Sequence, residues 1–179
     1  MGKGPAKKLD RRAGRSVYIE TSVISYLVAR PTNDSIRMAH QEATRRWWRR
    51  RGEYSLFVSD VVIGEVSGGD LAAAGRRMSA LRGIPALDVN SEVSKLADYL
   101  IAEGRLPDKA APDAYHMAVA VIHGLDYLLT WNCKHIANAK MRDTILRACF
   151  SRSYRPPVLC TPEDIVAETE NEKVRSDSQ

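Results

Sequence analysis

Short apolar runs alternate with helical stripes along almost the whole chain, and that alternation leaves few folds open. Val17-Tyr18-Ile19 is a β-branched and aromatic run of strand character. A helix is expected from about Val23 to Val28, capped by Thr21 or Ser22 and ended by Pro31. Tyr54 to Val58 reads as a second strand, Pro85-Ala86-Leu87 as a third, Asp126 to Thr130 as a fourth and Pro157-Val158-Leu159-Cys160 as a last. Between them apolar residues recur at helical spacing. The stripes are Ile36, Ala39, Ala43 and Trp47; Leu71, Ala74, Met78 and Leu81; and Val93, Leu96, Ala97, Leu100 and Ile101. Ser59 is placed to cap a helix carrying Glu65, and Pro112 suits the first turn of another. Further helices are expected over Lys140 to Ala148 and, briefly, after Thr161. Helices between strands imply an α/β fold, a mostly parallel sheet of four to five strands covered on both faces.

Such a sheet gathers ligands beyond the carboxyl ends of its strands. Glu20 closes the first strand, and Asn132 lies just past the fourth. Asp126 begins that fourth strand, on the order of 13 Å away at about 3.3 Å per residue, which removes it from the candidate site. Glu65 sits inside a short amphipathic helix, and Asp113 follows Pro112 where a helix opens. Acidic groups so far apart in sequence are not a charged surface run. Brought together by the fold, they would repel one another and demand a cation, and hard oxygen ligands suit Mg²⁺ or Mn²⁺. That chemistry points to metal-assisted phosphodiester cleavage. Each residue also has a plainer role open to it. Glu65 suits a solvated helix face, Asp113 suits a helix amino terminus, and Asn132 suits a turn. His116 shares a helix face with Asp113, where it either packs, orients a ligand or contacts phosphate.

The segments Val17-Tyr18-Ile19-Glu20-Thr21-Ser22, Ser59 to Glu65, Pro112-Asp113-Ala114-Tyr115-His116 and Leu128-Leu129-Thr130-Trp131-Asn132 together resemble the PIN domain family of metal-dependent nucleases. The resemblance runs from about Ser16 to Val166, and many bacterial members resemble VapC-type toxins of toxin–antitoxin pairs. It implies a PIN-like three-layer fold with metal-binding acids at Glu20, Glu65 and Asp113. It implies catalytic positions at Glu20, Glu65, Asp113 and Asn132, with Ser22, His116 and Thr130 supporting ligands or substrate. Two positions depart from the family pattern. The first acid is usually aspartate, and Glu20 is one methylene longer; the last acid is here Asn132, which keeps an oxygen and loses a charge.

The net charge of +5 resembles a nucleic-acid signal until its location is considered. Residues 1–15 carry six basic side chains against Asp10 alone, which accounts for all of it. This stretch reads as a basic, disordered tail, followed by a nuclease domain over 16–168 and a polar tail over 169–179. The tail either attracts nucleic acid nonspecifically or reflects a misplaced start codon. The densest cluster in the folded part is Arg45-Arg46-Trp47-Trp48-Arg49-Arg50-Arg51. Trp47 continues an apolar stripe, whereas Trp48 falls on the Arg37, Gln41 and Thr44 side and is expected at the surface or an interface. A partner contact, an RNA path and a solvated face are all open for that patch. Cys133, Cys149 and Cys160 form no C-x-x-C pair, which argues against a disulfide framework and disfavours a zinc site with His135. No apolar run approaches the roughly 20 residues that span a bilayer, and the amino terminus lacks the apolar core of a secretory signal. The expectation is therefore a cytoplasmic, divalent-metal-dependent endoribonuclease. Its expected partners are an RNA substrate, a cognate antitoxin and a second copy of itself in a homodimer. The alternative is a weakly active or inactive PIN-like module that binds nucleic acid or protein.

Overall fold

A computed structural model describes residues 15–104, 110–132 and 139–168 of the chain, with the side chains of 139–142 not described. Five strands, β1 (Ser16–Ile19), β2 (Ser55–Ser59), β3 (Ala86–Leu87), β4 (Tyr127–Leu129) and β5 (Val158–Cys160), form one sheet in the order β3-β2-β1-β4-β5. Every pairing is parallel. The chain builds outward from β1 to β3 on one side, then returns to add β4 and β5 on the other. The direction of winding therefore reverses between β1 and β4, which are paired with Val17 opposite Tyr127 and Ile19 opposite Leu129. A sheet of this kind opens a crevice at that reversal.

The intervening helices are α1 (Thr21–Val28), α2 (Ser35–Arg49), α3 (Asp60–Ser67), α4 (Leu71–Ala80), α5 (Ser91–Gly104), α6 (Ala111–Ile122) and α7 (Ala139–Arg152), with a short helix at 162–168. Several boundaries follow local chemistry. Asp34, Ser59 and Asp70 accept from the backbone N–H three residues on and so start α2, α3 and α4. Thr161 and Asp164 bond each other's backbone N–H and start the last helix in the same reciprocal way. Gly83 takes a positive φ of 78° where the chain leaves α4 for β3.

Two stripes differ from expectation. In α2 the buried face is Gln41, Thr44 and Trp47, while Ile36 is 69% exposed. The reason is that α1 ends at Val28 and leaves backbone carbonyls beneath α2. Gln41 donates to the Arg30 carbonyl at 3.0 Å and Arg45 to that of Ala29 at 3.3 Å. Burial of those carbonyls without donors would cost more than exposing Ile36. Trp48 is half-buried, packed against the core with Arg51 over its ring. In α4, which packs on α1 and α3, Ala74 and Leu81 are buried while Leu71 stays outside. In α5, Val93, Leu96, Ala97 and Leu100 are buried as the spacing predicts, and Ile101 is half-buried.

The amino end of the sheet is closed by polar contacts. Asp126 accepts from the Ser16 N–H and hydroxyl at 2.9 and 2.7 Å, and its own N–H bonds back to the Ser16 hydroxyl at 3.0 Å. Arg15, assigned to the tail by sequence, donates to Tyr127 and Glu168. Of the expected tails at 1–15 and 169–179, all but Arg15 lies outside the described residues, as do Cys133 and His135. Cys149 and Cys160 are free and buried, and burial pushes both thiols above their ordinary pKa. No helix among the described residues is long and apolar enough to cross a membrane.

Trp47 is the largest fully buried side chain among the described residues, and its indole N–H has no partner among them. Trp47→Ala is expected to cost about 3–5 kcal/mol in a urea melt. Trp47→Phe is expected to cost clearly less, because it removes an unsatisfied donor together with the lost volume.

Candidate metal centre

Glu20 leaves β1 at its carboxyl end and occupies the N-cap position of α1, yet its side chain makes no cap bond. The carboxylate turns instead toward β4. It accepts from the hydroxyl of Thr130 at 2.8 Å and from that of Ser22. Each hydroxyl is itself oriented by a backbone N–H. Asn132 N–H donates to the Thr130 hydroxyl at 2.8 Å, and Trp131 N–H donates to that of Ser22 at 2.9 Å. An oxygen that accepts from a backbone N–H is left to point its own hydrogen at the carboxylate. Ser22 and Thr21 are thereby committed to acids, which is why neither caps α1 as the sequence suggested.

Glu65 reaches the same place from α3. One oxygen accepts from the Thr21 hydroxyl and lies 3.1 Å from His116 Nε2. Burial pushes Glu65 upward in pKa, but its contact with His116, with help from the Thr21 hydroxyl, outweighs it and holds the acid below its usual range. His116, on α6, is 1% exposed and its other ring nitrogen lies 2.8 Å from the Tyr18 hydroxyl. That phenol is buried too, and burial pushes its pKa well above the ordinary value.

Asp113 stands in the first turn of α6 and is 9% exposed. Its carboxylate accepts from the Asn132 side-chain amide at 2.8 Å. Glu20, Ser22, Glu65, Asp113 and Asn132 line one open cleft of about 560 Å³ with Thr21, Ser25 and Pro112. Ligand atoms of Glu20, Glu65 and His116 all fall within 4.8 Å of one another. Asp113 shares the cleft but lies outside that tight group. Thr130 and His116 stand behind the wall, bonded to Glu20 and Glu65. All seven residues nominated from sequence thus meet at the carboxyl ends of β1 and β4. Tyr18, Ser59 and Thr21 contact this group and were not nominated as site residues. A tyrosine in mid-strand among apolar neighbours was the available signal, because a buried phenol needs a partner.

The family model for the PIN domain matches residues 17–141, most of the chain and all of the cleft's residues. The chain belongs to the PIN domain family. PIN domains are generally nucleases. The fold is similar to that of VapBC2 from Rickettsia felis, solved bound to a DNA fragment from their promoter. The TM-score is 0.54 at 12% identity, over 82% of this chain and 98% of that one. No curated protein matches the chain in sequence.

Part of the arginine-rich end of α2 is engaged within the chain, while Arg46 and Arg49 stay exposed. Arg50 pairs with Glu53 at 3.2 Å, Arg51 covers Trp48 and donates to its carbonyl, and Arg45 serves α1. Nearer the cleft, Trp131 stacks on His40 with ring centres 3.9 Å apart and donates to Thr44 at 2.8 Å. These contacts anchor the residue between Thr130 and Asn132.

Asn132→Asp replaces the amide that now bonds Asp113 by a second carboxylate. Repulsion between the two acids is expected to lower the melting temperature of the metal-free protein by about 2–4 °C per ~1 kcal/mol lost. Added Mg²⁺ should then raise it by more than in the unsubstituted chain. Scanning calorimetry with and without Mg²⁺ checks both signs.

Proposed function

We propose that this PIN domain is a divalent-metal-dependent endoribonuclease acting as the toxin of a toxin–antitoxin pair. The observation that carries the reading is the convergence of Glu20, Glu65 and Asp113 on one cleft at the reversal of the sheet. Their carboxylate oxygens are the hard donors that Mg²⁺ or Mn²⁺ takes, and two or three suffice because Mg²⁺ keeps several waters. The donor set therefore fits such an ion. Bound there, it would polarise the scissile phosphate and make an attacking water more acidic.

The chain's own residues prepare that work. Ser22 and Thr130 hold Glu20 with both hydrogens aimed at one carboxylate oxygen, so the acid is anchored before a ligand arrives. Thr21 and His116 do the same for Glu65. Asn132 orients Asp113 without adding a charge. An open cleft between polar walls admits a backbone phosphate. An antitoxin partner is supported by the likeness in fold to the VapBC2 assembly. The homodimer and the cytoplasmic setting rest on resemblance to VapC-type toxins.

A second reading is favoured by one contact. With Asn132 in place of an acid and bonded to Asp113, the centre carries less charge than the family pattern, which suits a weakly active module that binds nucleic acid. Cleavage of a mixed, end-labelled RNA pool with Mg²⁺, Mn²⁺ or EDTA separates the two. Metal-dependent cuts are expected, reduced about 100-fold or more in Asp113→Ala while its circular dichroism stays unchanged. Equal cleavage by Asp113→Ala would remove the nuclease assignment. RNA binding without cleavage in any metal would favour the second reading.

A further inference from the structure

We propose that Tyr18 and Ser59 are positioning residues that keep the His116 proton on Nε2, so that His116 orients Glu65 as a metal ligand and stays out of the ligand set itself. This rests on the metal-dependent reading above and concerns how the centre is built. The three side chains are buried, with Tyr18 and Ser59 at 0% exposure and His116 at 1%. They come from three elements, β1, the start of α3 and α6, and their hydrogen bonds form a chain that ends on Glu65.

Hydrogen placement follows from the acceptors. The Glu65 carboxylate only accepts, so His116 Nε2 at 3.1 Å must carry the hydrogen between them. In the neutral ring Nδ1 is then an acceptor, and its donor among the described residues is the Tyr18 hydroxyl at 2.8 Å. Having given its hydrogen to His116, the Tyr18 oxygen accepts from Ser59 at 2.6 Å. The Ser59 oxygen accepts in turn from Val62 N–H at 3.4 Å, the cap bond of α3. The chain reads Val62 N–H to Ser59, Ser59 to Tyr18, Tyr18 to His116, His116 to Glu65. Reversal would leave an Nε2 lone pair facing a carboxylate.

The relay also closes a loop, because Ser59 starts the helix that carries Glu65. The bond that caps α3 and the bond that aims its acid belong to one network. Geometry alone would let Glu20, Glu65 and His116 bind a metal as a three-residue set, since their ligand atoms lie within 4.8 Å. The relay argues against that, because a ring nitrogen that bears hydrogen has no lone pair to give. It leaves the centre with carboxylate oxygens and shifts its preference toward Mg²⁺ and Mn²⁺ over ions that favour imidazole.

The test uses the full chain and no RNA. Nitrogen-15 spectra of the histidine rings should show His116 protonated at Nε2 without metal and still protonated there after Mg²⁺ is added. Mn²⁺ affinity, measured by calorimetry, should fall about 10-fold in Tyr18→Phe, whose His116 should lose its single tautomer. His116→Gln keeps an N–H donor toward Glu65 and should bind Mn²⁺ within about threefold of the parent, whereas His116→Leu should lose about 10-fold or more. Loss of the Nε2 hydrogen on Mg²⁺ binding, or His116→Gln failing as badly as His116→Leu, would overturn the proposal. The parent spectra decide the point even where a variant does not fold. A parent chain that binds neither ion would overturn the nuclease reading and this one together. Metal binding through His116 Nε2 would overturn this one alone.

Discussion

Parallel pairing of β1 with β4 brings a buried carboxylate against the turn that holds it, and the rest of the site depends on that. Glu20 is 5% exposed and sits where an isolated charge would be costly. Thr130 and Ser22 donate to it because the N–H groups of Asn132 and Trp131 occupy their oxygens. All four donors lie in two short segments, each directly after a strand. Register between the strands is therefore the quantity that sets the site. One residue of slip in either would exchange the faces on which Glu20 and Thr130 lie.

Asp126 and Ser16 fix that register from the far end. Their reciprocal bonds tie the first residue of β1 to the residue before β4, about one strand length from the cleft. Hydrophobic burial alone would not set it so firmly, because β1 is buried throughout and offers no alternation to favour one pairing. The acid with no place in the cleft thus helps to place those that have one.

Polar chemistry was legible to different depths. Glu20 and Asp113 stand out because each follows a strand or a helix-starting proline, where a lone carboxylate needs a reason. The α2 face was misread because its burial answers a demand made by another element. Gln41 and Arg45 serve carbonyls that the end of α1 leaves open, and periodicity within α2 carries no trace of them. The capping role foreseen for Thr21 and Ser22 failed for a related reason. Both are good cap residues, but carboxylates at Glu20 and Glu65 compete for the same hydroxyls.

The sequence by itself determined the alternation of strands and helices, hence a parallel sheet and the end of it where acids can gather. It also determined which side chains bear charge, because these properties are local or periodic along the chain. Only the tertiary structure decided that Asn132 would bond Asp113, that His116 would face Glu65, and that Tyr18 and Ser59 would stand behind it. Those partners are separated by 19, 51, 98 and 41 residues. A hydrogen bond depends on fractions of an ångström and on which atom holds the hydrogen. Neither is encoded in spacing along the chain; both are fixed when β1, α3 and α6 pack together.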